Sequence, residues 1–265
     1  MKQRFITGLI IALVAIPPLV LGGIPLLLLV FAVSALASYE ILAVRGGKIS
    51  WGLVTFLFLS TLVMYLVPID FYIPAIIAFL IVLFVIHIFT KEISIEDLSY
   101  VFVMTMILTL AVKGIIHIYD YNGFLMIYVA LACFGCDIGA YFFGVYFGKH
   151  KLIERISPKK TWEGAIGGWL VGAAASYIFA NLYLSNMFEP SVIIFSSLTL
   201  PIISQIGDLS FSAVKRQYHV KDFGSIFPGH GGVLDRVDSL LFCLMFFHAI
   251  LLFVEMQNFY TLFLR

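Results

Sequence analysis

Residues 215–239 read KRQYHVKDFGSIFPGHGGVLDRVDS, a dense run of charges and glycines in a chain that is 62% hydrophobic and 12% charged. The acids in and beside it are Asp208, Asp222, Asp235 and Asp238, and the bases are Lys215, Arg216, Lys221 and Arg236. Carboxylates that hold a hard divalent cation, with cations nearby to take up the remaining charge, suit the handling of phosphate groups. Asp235 and Asp238 stand three apart where an apolar run begins, so both project from one face of a first helical turn, where acids also complement the helix dipole. Pro228, Gly229, His230, Gly231 and Gly232 form a segment rigid at one end and permissive at the other, suited to turning backbone N–H groups toward an anion. His230 is open to three readings: base, phosphate donor or turn residue.

A second polar segment, GKHKLIERISPKKTWEG at 148–164, places Lys159 and Lys160 between a Ser-Pro turn and an apolar run, a place where a helix N-terminus receives an anion. Asp137 lies inside an apolar stretch, GCDIGAYFFGVYFG. A carboxylate there must face protein or water, and the glycines around it allow close approach of another helix or a substrate, so a polar cavity is expected at this point, with an interhelical hydrogen bond as the plainer alternative.

The elements that must position these residues are membrane helices. A charged content of 12% is about half that of a soluble domain, and a soluble fold could not bury so much apolar surface. Windows of about twenty residues give nine spans, near 5–21, 24–44, 51–67, 72–90, 98–118, 124–147, 164–184, 190–207 and 239–260. The sequence therefore predicts an all-α polytopic membrane protein, one membrane domain over 1–265, with N-terminal helices in 1–123 and the chemistry-bearing motifs in 124–265. Lys2 and Arg4 before the first apolar run resemble a signal peptide, but eight further spans favour an uncleaved helix. With the N-terminus in the cytoplasm, all but Lys113 and Arg265 of the 16 basic residues fall in cytoplasmic segments, among them Lys91, which also puts both polar segments on that side. A net charge of +1 offers no basic field for nucleic acid. Cys133 and Cys136 form a CxxC inside an apolar run and read as small packing residues.

The arrangement resembles the CTP-dependent phosphatidate cytidylyltransferases, or CDP-diglyceride synthases. The C-terminal signature of that family is met by Ser212, Lys215, Arg216, Lys221, Asp222, Pro228 to Gly232, Asp235, Arg236 and Asp238. The Gly-Asp-Leu at 207–209, the SPKKTWEG segment and DIGAYFFG at 137–144 look like its other motifs. The resemblance covers roughly 130–240 and implies transfer of a cytidylyl group from CTP to phosphatidate, yielding CDP-diacylglycerol and pyrophosphate in a bacterial-type inner membrane. The expected roles follow. Asp208 and Asp235 hold Mg²⁺, which assists departure of pyrophosphate, and Asp238, Asp222 or Asp137 completes or orients the site, with room for a second cation. Lys215, Arg216, Lys221 and Arg236 bind phosphates, and Lys159, Lys160 and the Gly229–Gly232 backbone meet the nucleotide. A homodimer is compatible with the sequence. The competing readings are a CTP-dependent polyprenol kinase or prenyl-ether-lipid cytidylyltransferase and, more distantly, a transporter with Asp137 and Pro201 on an ion path.

Overall fold

The computed structural model describes residues 2–90 and 93–263; Lys91 and Arg265, both counted in the charge distribution, lie outside the described residues. Among these there are nine α-helices: α1 (Lys2–Leu21), α2 (Gly23–Ala43), α3 (Trp51–Leu66), α4 (Tyr72–Phe89), α5 (Ile95–Tyr121), α6 (Phe124–Phe147), α7 (Trp162–Tyr183), α8 (Pro190–Gln217) and α9 (Leu234–Phe263). Seven of them, α2 and α4 to α9, are long and apolar enough to cross a membrane, while α3 is a shorter apolar helix of 16 residues. The protein is an all-α polytopic membrane protein. Its outward surfaces fit that medium: along α4 only Phe79 and Leu83 are buried, whereas Ile73, Ile81, Ile88 and Phe89 stand exposed. A helix apolar on every side is stable in hydrocarbon because its backbone bonds close within itself.

Two expectations need correction. The eighth helix does not end at 207 but continues to Gln217, so Asp208, Ser212, Lys215 and Arg216 ride on a helix instead of opening a loop. Hydropathy falls there because charges enter, yet the helical pattern persists: Phe211 is almost fully buried, Ser212 Oγ donates to Asp208 Oδ1 one turn back at 3.3 Å, and Lys215 and Arg216 suit the negative end of the helix dipole. Likewise, Ser157–Pro158 is not a turn before a helix. Residues Lys151–Ile153 (β1) and Ser157–Thr161 (β2) form an antiparallel hairpin, and Thr161 ends it as the cap of α7, its Oγ1 accepting from Gly164 N at 3.1 Å.

The chain divides into two compact units, Met1–Lys113 with Tyr218–Arg236, and Gly114–Gln217 with Val237–Arg265. The first contains α1 to α4, most of α5, the 218–233 loop and the first residues of α9. Its interior is aliphatic and aromatic, with Leu57, Leu83 and Val101 fully buried and Phe79 stacked between Phe56 and Phe102. Lys113, one of the two basic residues expected outside the cytoplasmic segments, donates to the carbonyls of Tyr65 and Val67 at 3.2 and 3.0 Å, where α3 runs out of internal partners. Near the other ends of these helices, Arg45 pairs with Asp97 at 2.9 Å, and Tyr218 donates to the same carboxylate at 3.2 Å while packing on Tyr100. Burial, then the neighbouring Asp97, pushes the Tyr218 phenol up to about 12, so the hydroxyl keeps its proton and the bond that ties the 218–233 loop to α5.

The second unit is built on the contact of α6 with α7. Small residues let these two backbones nearly touch: a Cβ on Gly168 would lie 2.6 Å from the Cys136 carbonyl oxygen, and one on Gly172 would lie 2.6 Å from that of Ala132. Cys133 and Cys136 are buried packing residues, as the sequence suggests, and both reach α8: Ser204 Oγ lies 3.4 Å from Cys133 Sγ, and Cys136 Sγ donates to the Pro201 carbonyl at 3.4 Å. Tyr128 fixes α8 by bonding Ser196 and Ser197 at 2.8 and 2.9 Å.

Because Gly168 faces backbone, which cannot swing aside, Gly168→Ala should destabilise the protein by about 1–3 kcal/mol through overpacking. Gly52→Ala, whose nearest neighbour would be the Ser50 hydroxyl at 3.8 Å, should not. Thermal unfolding of the two detergent-purified variants, expected to show a lowered midpoint for the first alone, checks this.

Candidate active site

The sequence-expected residues of the second unit come together at the end of α6, α7 and α8 that carries the hairpin. A cavity of about 390 Å³ is lined by Asp137, Tyr141, Gly144 and Val145 from α6, Lys159 and Lys160 from β2, and Gln205 and Asp208 from α8. Asp137 is exposed to this space instead of to packed side chains, which answers how an acid is tolerated in the sixth apolar run. Lys160 Nζ lies 2.5 Å from Asp208 Oδ2, and both side chains are part-exposed. Gln205 closes one wall by donating to the Ala165 carbonyl at 2.9 Å. The hairpin is held from both ends: Glu163 accepts the backbone N–H groups of Lys149 and His150 at 3.1 and 3.2 Å, and Arg216 Nε donates to the Ile156 carbonyl at 3.2 Å. Lys215, buried in α8, and Asp208 and Asp137 are all within electrostatic reach of Asp238, so α6, α8 and α9 bring these four residues to one region. Gly207 lets α8 and α9 approach closely there, since a Cβ on it would lie 2.9 Å from the Phe242 Cβ.

In the first unit the 218–233 loop is shaped by two carboxylates. Asp235 Oδ2 accepts the N–H groups of Phe223 and Gly232 at 2.7 and 2.9 Å. Glu40, from α2, accepts those of Val233 at Oε1 and Leu234 at Oε2, both at 2.8 Å. Gly231 has φ +83°, and a Cβ there would lie 2.7 Å from Asp235 Oδ2; one on Gly232 would lie 2.3 Å from Glu40 Oε1. Gly231 and Gly232 of the Pro228–Gly232 turn are thus required by the carboxylates of Asp235 and Glu40. Of the N–H groups expected to face an anion, that of Gly232 serves Asp235, and that of His230 donates to the Phe227 carbonyl at 2.8 Å. Thr7 Oγ1 of α1 donates to the Pro228 carbonyl at 3.2 Å, and His230 Nδ1 is buried without a hydrogen bond among the described residues. Lys221, Asp222 and Arg236 are exposed at the surface of the loop and the start of α9.

Among the described residues no three His, Cys, Asp or Glu side chains are arranged to hold a metal. Mg²⁺ does not require such a cage, since it takes one or two carboxylates and fills its octahedron with water and substrate phosphate oxygens. Asp208, a carboxylate on the cavity wall, fits that requirement. Asp235 offers the same donor type, on a carboxylate that also holds the loop.

The sequence matches the model of the Cytidylyltransferase family over residues 2–254. The chain belongs to that family. It is 32% identical over 267 residues to a phosphatidate cytidylyltransferase of Bacillus subtilis, covering 95% of this chain and 97% of that protein. A protein of the same name from Staphylococcus haemolyticus is 32% identical over 259 residues, covering 95% and 99% of the two chains. One from Haemophilus influenzae is 43% identical over 139 residues, about half of each chain.

Sequence reasoning missed Glu40, Gln205 and Glu163. For Glu40 the signal was present: it is an acid in the second apolar run, and the reasoning applied to Asp137 applies equally to it. Gln205 and Glu163 carry no such mark, since nothing in their neighbours announces a wall or a hairpin anchor. Val145 lines the cavity while staying well exposed, so Val145→Trp should fill the space without disturbing the fold. Turnover of CTP by that variant should drop about tenfold or more, the scale set by displacing a bound substrate from its reactive position, with an unchanged melting midpoint.

Proposed function

We propose that the protein transfers the cytidylyl group of CTP to phosphatidate, giving CDP-diacylglycerol and pyrophosphate. The observation that carries this reading is the cavity where Lys159, Lys160, Asp137 and Asp208 meet the apolar side chains of α6, a surface suited to phosphate groups at the edge of hydrocarbon. The phosphate monoester of the lipid is already anionic, so an oxygen of it can attack the α-phosphorus of CTP without a strong base. A new P–O bond forms to that phosphorus as its bond to the β-bridging oxygen breaks, and the electron pair leaves with pyrophosphate. The obstacle is repulsion between two polyanions, and the cations of the chain lower it.

Lys159 and Lys160 would meet phosphate at the cavity, and Lys215 and Arg216 would take up charge from α8. Lys221 and Arg236, with Gly229 to Gly232, would serve the nucleotide from the loop. Asp208 and Asp235 are the carboxylates proposed to hold Mg²⁺, with Asp238, Asp222 and Asp137 orienting neighbouring groups. When bound, Mg²⁺ supplies charge neutralisation to the triphosphate. His230 is assigned no proton transfer, because the reaction needs none. The protein is integral to a membrane; we place it in a bacterial-type inner membrane with its N-terminus and the reacting groups on the cytoplasmic side, where CTP is found. Assembly as a homodimer is compatible with this reading, in which every named group comes from one chain.

Purified protein incubated with CTP, Mg²⁺ and either phosphatidate or a polyprenol separates the readings by product mass. A CDP-lipid formed from phosphatidate is expected, whereas a polyprenyl phosphate would establish the kinase instead. Asp208→Asn should lose about 100-fold or more in turnover while still inserting and folding, the effect of removing one charge-stabilising group from the transition state. Lys215→Arg should also insert normally and lose much of its activity, because a compact ammonium and a planar guanidinium are not interchangeable on a phosphate. Lys48→Arg should remain active, and parental turnover in both lysine variants would reduce Lys215 to a topological charge.

A further inference from the structure

We propose that Glu40 is a positioning residue for the reaction: it holds the Pro228–Gly232 turn and the start of α9 in the shape that presents Asp235. The inference rests on the functional reading only in assigning Asp235 and the turn to the substrates.

The first N–H groups of a helix have no partner within it, and their aligned dipoles attract an anion. At α9 that anion is a protein side chain from far away in sequence. Glu40 is fully buried, and each of its oxygens takes one N–H, Oε1 that of Val233 and Oε2 that of Leu234. Gly224 and Gly232 are cut back to make room, since a Cβ on either would fall 2.7 or 2.3 Å from Glu40 Oε1. The next residue after Leu234 is Asp235, whose own carboxylate reaches back to Phe223 and Gly232. Four consecutive residues, Gly232 to Asp235, are therefore fixed by two acids from two helices, and the loop's path through Phe223 depends on both. Leaving two buried N–H groups without acceptors is costly, so the backbone would move to find others and carry Asp235 with it.

The chemistry of the side chain gives a graded test. Gln has nearly the shape of Glu but only one acceptor oxygen, and its NH₂ would face an N–H donor. Asp keeps two acceptors on a shorter stem. We would measure hydrogen–deuterium exchange of the 222–240 peptide in the full-length detergent-purified protein, together with kcat and KM for CTP in Mg²⁺ and phosphatidate. In Glu40→Gln, exchange of that peptide should rise about tenfold or more and kcat should fall about 10- to 100-fold, the loss that follows from small misplacement of a reacting group. Exchange of the α6, α7 and α8 peptides should stay parental, and Glu40→Asp should recover part of both losses. Parental exchange in 222–240, a raised exchange with parental kcat, or exchange raised through α6 to α8 as well would each overturn the proposal, the last by making Glu40 a general stabiliser. The exchange readout needs no substrate. A parental protein that fails to convert phosphatidate would count against the functional reading, while the response of the 222–240 peptide would still judge Glu40.

Discussion

A carboxylate set among apolar helices has to be answered by N–H groups, by a cation or by access to water, and this constraint organises the polar part of the molecule. All three answers are found. Glu40 and Asp235 are met by backbone N–H groups of one loop, Asp208 by the Lys160 ammonium, and Asp137 by an open cavity. The acids that are fully committed to the backbone shape the chain, and those that face a cation or a cavity remain open to exchange their partner for a ligand. Asp235 is of the first kind, so the metal-holding role proposed for it depends on the integrity of the loop.

The helices themselves were legible because the membrane imposes length and composition directly. The apolar runs at 24–44, 51–67, 72–90 and 124–147 match α2, α3, α4 and α6 to within one residue at each end. What escaped was structure beyond the hydrocarbon. The last turns of α8 are helical for reasons of side-chain pairing and dipole, which hydropathy does not register, and the hairpin before α7 has strands too short for alternation to speak. The site was legible in its residue types: the charged groups at Asp137, Lys159, Lys160 and Asp208 do line one cavity. The meaning of the glycines was not. Gly231 and Gly232 looked like an anion cradle, while their lack of Cβ is required by Asp235 and by Glu40, which stands 192 positions before Gly232 in the chain. A partner that distant leaves no local trace.

Small residues do the corresponding work between helices. Gly168 and Gly172 bring α6 and α7 together at backbone distance, and Thr161 and Glu163 turn the start of α7 into an anchor for the β1–β2 hairpin that carries the two lysines. Packing in the apolar region thereby sets where Lys159 and Lys160 stand, and those are the two cations that the proposed reading has meeting phosphate at the cavity.

The account's central claim is that these charges serve attack on the α-phosphorus of CTP by a lipid phosphate. Supplying the purified protein with phosphatidate, Mg²⁺ and CTP labelled in separate reactions at the α- or the γ-phosphorus tests it most directly. The account predicts label in the lipid product from the α position alone, with the γ label released as pyrophosphate; γ label in the lipid would contradict it.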